Sequence, residues 1–197
     1  ASFFRFCDEL LIKYADAAEV FAIAGHNRRL HPFEMPSDYG FSNYFECWGW
    51  ATWKRGWDQF DPSLSAWRDP RAWHSICKRV FHNSRARAYW TWMFRQVDRQ
   101  RRDSWAYPFL LSIWSHAGHV IIPRLNLTEN IGFNQEGGHT AHFSGLEVSA
   151  FSQPFPLRHP QQVVIDPEMD RWFEDCIHSK SLSVRLSWLR RKVKALS

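Results

Sequence analysis

Four tryptophans, Trp48, Trp50, Trp53 and Trp57, fall within ten residues of this chain, in the segment Ser42 to Trp57. Side chains of that size either fill a core or wall a site. The lead-in Tyr44-Phe45-Glu46-Cys47-Trp48 is rich in aromatic residues and predicts a strand. Gly49 permits a tight corner or a close approach that a side chain would block. From Trp50 onward, Trp50, Trp53, Trp57 and Phe60 recur at i, i+3, i+7 and i+10, which predicts a helix. A strand, a glycine corner and a helix start make the kind of junction where α/β folds bind ligands. A hydrophobic knot that seals the core is the other reading, and the residue types leave both open.

The remaining bounds are ordinary except for the aromatics. With 197 residues the chain suits one domain or one large lobe. Twelve Trp and sixteen Phe are many for that length, and such residues line sugar and base sites as well as cores. The net charge of +5 is modest, but basic residues gather at Lys78–Arg102 and Arg185–Lys194. Cys7, Cys47, Cys77 and Cys176 form no Cys-x-x-Cys pair, so neither a zinc ribbon nor a disulfide framework is expected. Reduced thiols, no long apolar run and no signal-peptide pattern predict a cytoplasmic protein. Asn126-Leu-Thr would accept a glycan only in a secreted chain.

Along the chain, helix and strand alternate, which implies an α/β layer architecture. A helix is expected from Ser2 to about Tyr14, followed by a buried strand at Val20–Ala24 and a loop over 28–40. Asp61-Pro62 ends the next helix, 62–72 connects, and a basic helical region runs from about Ala72 to Arg101. Asp103-Ser104 reads as the N-cap of a helix from Trp105 to His116, with Gly118 as C-cap and a strand at His119–Pro123. The glycines of 134–140 suit a mobile or ligand-approaching loop, and residues 141–166 predict an irregular tail. The last helix sets Leu182, Leu186, Leu189, Val193 and Leu196 on one face among basic residues. Such a helix either lies on an anionic membrane surface through 182–196 or docks on its own domain.

No Walker loop, Gly-x-Gly-x-x-Gly, His-Glu-x-x-His or Gly-x-Ser-x-Gly is present. Ten histidines show no tight ligand spacing, and His139 with His142 offers at most one metal ligand. Carboxylates are better candidates. Asp103 at a helix start suits a general base or hydroxyl acceptor, and equally a plain cap. Glu46 and Asp58 flank the tryptophan stretch and can grip sugar hydroxyls.

Four strings in order carry a resemblance: Ser2-Phe-Phe-Arg-Phe-Cys-Asp-Glu-Leu, Trp48-Gly-Trp-Ala-Thr-Trp-Lys-Arg-Gly-Trp57, Asp103-Ser-Trp-Ala-Tyr, and Asn130-Ile-Gly-Phe with His139-Thr. Together they resemble a bacterial family of nucleotide-diphospho-sugar transferases of GT-A fold, some called haemolytic-protein-like. The resemblance covers about residues 1–140, continuing weakly to about 170. It implies an α/β, Rossmann-like GT-A fold, helix-rich with few strands and an irregular C-terminal tail. Residues 1–140 would be its acceptor-side half, 141–180 a wrapping tail and 181–197 a basic amphipathic helix. The family's acidic metal-binding motif sits just before the Ser-Phe-Phe helix, so the nucleotide-binding half is expected upstream.

The implied reaction is metal-assisted, inverting transfer of a sugar from a nucleoside diphosphate to a glycan or lipid-linked acceptor. The implied cofactor is a divalent cation, manganese or magnesium, with His139 as a late ligand. Trp48, Gly49, Trp50, Trp53, Glu46, Trp105 and Asn130 would contact substrate, and no nucleic-acid partner is expected. Many relatives place an aspartate where this chain has Ala106. Either Asp103, one turn earlier, serves as the base, or the base is lost and the chain is a carbohydrate-binding lobe or an inactive fragment.

Overall fold

A computed structural model describes residues 2–27, 29, 31–129 and 149–175. Asn130, His139 and the basic segment 182–196, with the contacts expected of them, lie outside the described residues. The elements in order are α1 (Ser2–Lys13), β1 (Val20–Ala24), β2 (Tyr39–Ser42), β3 (Trp50–Thr52), α2 (Lys54–Trp57), α3 (Ser65–Arg68), α4 (Pro70–Val80), α5 (Ser84–Asp98), α6 (Ala106–Ser115) and β4 (His119–Pro123). A further helical segment, α7, covers 167–175.

The four strands form one mixed sheet in the order β2-β4-β1-β3. The central pair β1 and β4 is parallel, and both edge strands run antiparallel to their neighbours. Val20–Ala24 is buried throughout, as a central strand covered on both faces must be. The period of two sorts the side chains. Val120 and Ile122 face a core built with α4, α5 and α6, whereas Ile121 joins Tyr39 and Phe41 in a core under α1. Phe6 and Leu10 of α1 are fully buried in that second core, each worth about 1.5–3 kcal/mol of apolar transfer.

Of the tail, residues 149–166 pack along this second face, with Phe155, Leu157, Val163 and Ile165 against its core. Phe151 N donates to Asn126 O at 2.7 Å, and Leu157 N donates to Glu9 Oε1 at 3.3 Å. Ile165 then bridges Phe41 in parallel, and Asp166 N donates to Phe41 O at 2.8 Å. The edge strand β2 is thereby covered, which leaves all four of its residues buried. At 167 the tail turns helical: Asp166 Oδ1 accepts from Glu168 N and Met169 N, and Pro167 takes the first helical position.

Several expectations need correction. Tyr44–Trp48 is not a strand but irregular chain. Trp50 does not begin a helix; Trp50, Ala51 and Thr52 pair antiparallel with Ala24, Ile23 and Ala22. Long-range pairing outweighs the local three-four spacing, and Trp and Thr suit a strand. The loop expected over 28–40 stops short, because β2 begins at Tyr39. The basic helical region resolves into two helices, α4 and α5, which part where Asn83 caps α5 by accepting from Ala86 N. Gly118 is not the left-handed residue ending α6. Ala117 is, at φ 53°, with Gly118 N donating to Ile113 O and Ala117 N to Trp114 O. Gly118 is required for a different reason: a Cβ there would lie 2.4 Å from the Phe21 ring.

Candidate functional site

Beyond β2 the chain runs irregularly from Asn43 to Gly49 and forms the front wall of a cleft of about 570 Å³. Tyr44, Phe45, Glu46, Cys47 and Trp48 line that wall. Tyr89 and Trp90 come from α5, and Ala106, Tyr107 and Leu110 from α6. Arg101, Arg102, Asp103 and Ser104 close it from the turn between those helices.

Each side has a local cause. Gly49 sits at φ +70°, and a Cβ there would lie 2.4 Å from Thr128 Cγ2. Thr128 Oγ1 donates to Trp48 O at 2.8 Å, and Gly25 N to Gly49 O at 2.7 Å, so this corner is pinned to the sheet. The opposite wall depends on how α5 stops. Gln100 takes φ 54°, Arg101 N donates to Gln96 O and Gln100 N to Val97 O, each at 2.9 Å. This left-handed stop turns Arg101–Ser104 across the cleft.

The front wall is held from behind by two fully buried carboxylates on α7. Asp170 accepts from Ser42 Oγ at 2.5 Å, Asn43 N at 3.0 Å and Asn43 Nδ2 at 2.6 Å. Glu174 accepts from Tyr44 Oη at 3.0 Å, His82 N at 2.8 Å and Asn83 Nδ2 at 2.6 Å. Burial pushes the Asp170 carboxyl up to about 6, against the pull of its hydrogen bonds from Ser42 and Asn43. Burial, with the charges of Glu174 and Asp170, holds the Tyr44 phenol far above its usual value, so it stays a neutral donor. Neither α7 carboxylate was legible as a site residue. The signal for the helix, Asp166-Pro167, was readable, but the partners of its carboxylates are 91 to 130 residues away.

Three of the predicted residues meet in the cleft: Glu46, Trp48 and Asp103. Arg101 and Arg102, from the basic cluster Lys78–Arg102, join them. Asp103 is exposed and makes no hydrogen bond or ion pair among the described residues, so it does not cap α6. The contact at that helix start is from Ala106 N to Ser104 Oγ, at 3.4 Å. Trp90, nearly buried in the wall, has an Nε1 without an acceptor among the described residues.

Gly49, Trp50, Trp53 and Trp105 stand outside the cleft lining. Trp50 lies behind Phe45, its ring 4.7 Å from Trp105 and 5.8 Å from Trp57. Trp53 lies on the opposite face of the sheet, because β3 alternates sides. Its Nε1 donates to Leu11 O at 3.0 Å and its ring carries the Arg55 guanidinium at 4.4 Å, so it fastens α1. Asn126 is buried, with Nδ2 donating to Thr128 O and Ser149 O, and so presents no amide for a glycan.

Among the described residues no three His, Cys, Asp or Glu side chains converge on a point that could hold a metal ion. No described helix is long and apolar enough to cross a membrane. No family model matches the chain, nor does any curated protein or solved structure. Chemically, the cleft offers two carboxylates, two guanidiniums and aromatic walls, a set that suits a ligand combining anionic groups with ring faces and hydroxyls.

Proposed function

We propose that this chain is the acceptor-side part of a GT-A-like glycosyltransferase that moves a sugar from a nucleoside diphosphate to an acceptor hydroxyl. The observation that supports this reading is the meeting of Asp103, Glu46, Arg101 and Arg102 in one aromatic-walled cleft. In this reading Arg101 and Arg102 hold the diphosphate and offset the charge that develops as it leaves. Trp48 stacks on a ring of the substrate, and Glu46 accepts from its hydroxyls. Asp103, without a hydrogen bond among the described residues, takes the proton of the acceptor hydroxyl while that oxygen bonds to the anomeric carbon. The bond from that carbon to the diphosphate breaks on the far side, which inverts the centre. The expected divalent cation finds no three-ligand site among the described residues, and no step of this scheme passes through it.

The alternative is a carbohydrate-binding lobe without catalysis, and Ala106 in the cleft lining favours it. One experiment separates the two. The parent chain, carrying the expected upstream nucleotide-binding half, is titrated with UDP-, GDP- and dTDP-sugars in the presence of manganese or magnesium, and release of nucleoside diphosphate is followed with and without added acceptor glycans. Binding weakened about tenfold by Arg101→Ala with Arg102→Ala, and turnover abolished by Asp103→Asn, is expected. Sugar binding with no turnover, even in Ala106→Asp, selects the binding lobe. No binding of any nucleotide sugar ends the transferase reading.

A further inference from the structure

Beside the cleft, Trp57 and Trp105 are 40% and 39% exposed, unusual for side chains so large. Their ring centroids are 6.1 Å apart and their planes 65° apart, and Trp50 packs against both. Phe60 stacks on Trp57 at 4.9 Å and Phe109 supports both indoles from below, at 5.3 Å and 6.2 Å. The result is a rigid aromatic shelf. It adjoins the cleft directly: Trp105 follows Ser104 and precedes Ala106, both of which line the cleft, and Phe45 separates the two spaces.

Size and charge select the occupant. Two indoles at two-fifths exposure present roughly 120–200 Å² of apolar surface. A stable protein partner or second copy needs about 800 Å² per side. A nucleic-acid strand stacking on such a platform needs free cations along its backbone. On α2, Lys54 is paired with Asp58 at 2.6 Å, and the Arg55 guanidinium donates to the carbonyls of Tyr14, Ala15 and Val20; Arg101 and Arg102 lie on the cleft side of Phe45, a single anionic site rather than a track along the shelf. What fits is a small, uncharged ring with an apolar face and a hydroxylated edge. We propose that the Trp57–Trp105 shelf is a subsite for a neutral pyranose unit of a glycan that extends out of the cleft. The proposal gives the sugar-transfer reading its acceptor class and rests on that reading only for the word acceptor; the binding itself is measured separately.

Indole Nε1–H signals are followed by ¹⁵N NMR while cellotetraose, maltotetraose and N-acetylchitotetraose are added. At least one oligosaccharide is expected to move the Trp57 and Trp105 signals together. Trp57→Ala or Trp105→Ala should then raise the apparent Kd about tenfold or more, whereas Trp105→Phe stays within about threefold. Phe151→Ala, which removes another exposed aromatic ring, leaves the titration unchanged. No movement with any of the three at about 10 mM, a Kd indifferent to both Trp variants, or movement with AMP and not with sugar overturns the subsite. Dimerisation that protects both indoles overturns it as well. These outcomes are independent of the nucleotide-sugar assay, so failure there with oligosaccharide binding intact condemns the transferase reading alone.

Discussion

The two faces of the sheet are closed by different chemistry. On the α1 face, buried acceptors are tied to the tail by partners that reach in from solvent. Asp38 accepts from Arg158 N at 2.8 Å and from its guanidinium at 2.7 Å, and a chain of Tyr14, Tyr39 and His159 hydroxyl and ring atoms spans 2.7 Å and 2.8 Å steps. The Arg158 side chain is 61% exposed. On the α4–α6 face the ties are carboxylates with no exposure, Asp170 and Glu174, embedded among interlocking rings such as Trp114, Trp90 and Phe94. The first face mixes aliphatic side chains with edge-to-face rings of Phe6, Tyr14, Tyr39 and Phe41. The second carries the cleft and the shelf. Large rings fixed at their backs by buried acceptors leave open space at their fronts, and that is how this face can hold a concavity.

The comparison breaks most sharply at Glu174. Removing its carboxylate by Glu174→Ala orphans Tyr44 Oη, His82 N and Asn83 Nδ2 at once. The loss expected is about 3–5 kcal/mol, read as a fall in the urea midpoint. The same denaturation series should show a much smaller loss for Arg158→Ala. There the buried Asp38 keeps the Arg158 N–H and the Arg124 guanidinium, 3.9 Å away, and the group removed is itself 61% exposed. Equal losses would mean that the two faces are not held differently.

Next in size is the pH dependence attached to Asp170. Its carboxyl sits at about 6 in the fold against 3.8 when free, so the folded chain binds this proton more tightly. The stability it supplies is full below pH 3.8 and is lost as pH rises through about 6, a change of roughly 3 kcal/mol. His159, lowered chiefly by burial and by Lys13, acts in the opposite sense as pH falls below 6.5. Asp38 and Asp61 act below 3.8. Burial alone would raise both, but the Arg158 bonds to Asp38 and the Ser63 and Ser65 bonds to Asp61 outweigh it, taking Asp61 to about 2. Comparing the urea midpoint at pH 4.5 and 7 in the parent and in Asp170→Asn isolates the carboxylate. The gain on acidification should shrink in the variant.

What could be read in advance divides along the same line. α1, Val20–Ala24 and His119–Pro123 were legible because each buries residues at its own period, 3.6 or 2. Glu46, Trp48 and Asp103 were legible as site candidates because carboxylates and rings clustered around glycine and helix-start signals. Trp50–Thr52 was not, because three residues become a strand only against β1, and nothing local records that partner. Nor was the pairing of Asp170 with Ser42 and Asn43, which joins positions 127 and more residues apart. Asp69-Pro70, Asn83 and Asp166-Pro167 were readable start signals for α4, α5 and α7, and Asn83 alone marks where the basic region divides.

The smallest expected effect bears on the cleft most directly. Gln100 stands at φ 54°, where an L side chain crowds its own backbone and glycine does not. Gln100→Gly relieves that cost while the stop itself, made by the N–H groups of Gln100 and Arg101, is unchanged. Glycine also widens the unfolded ensemble, which takes back part of the gain. The net expectation is a stabilisation of about 0.5 kcal/mol, visible as a slightly higher urea midpoint. Ala117→Gly repeats the substitution at the end of α6, where the turn leads into β4 instead of the cleft. If both variants gain stability and only Gln100→Gly alters the NMR signals of Arg101–Ser104 or of the Trp105 indole, the end of α5 sets the cleft wall. If neither moves those signals, the wall is fixed from α6, and Arg101 and Arg102 owe their placement to Trp105.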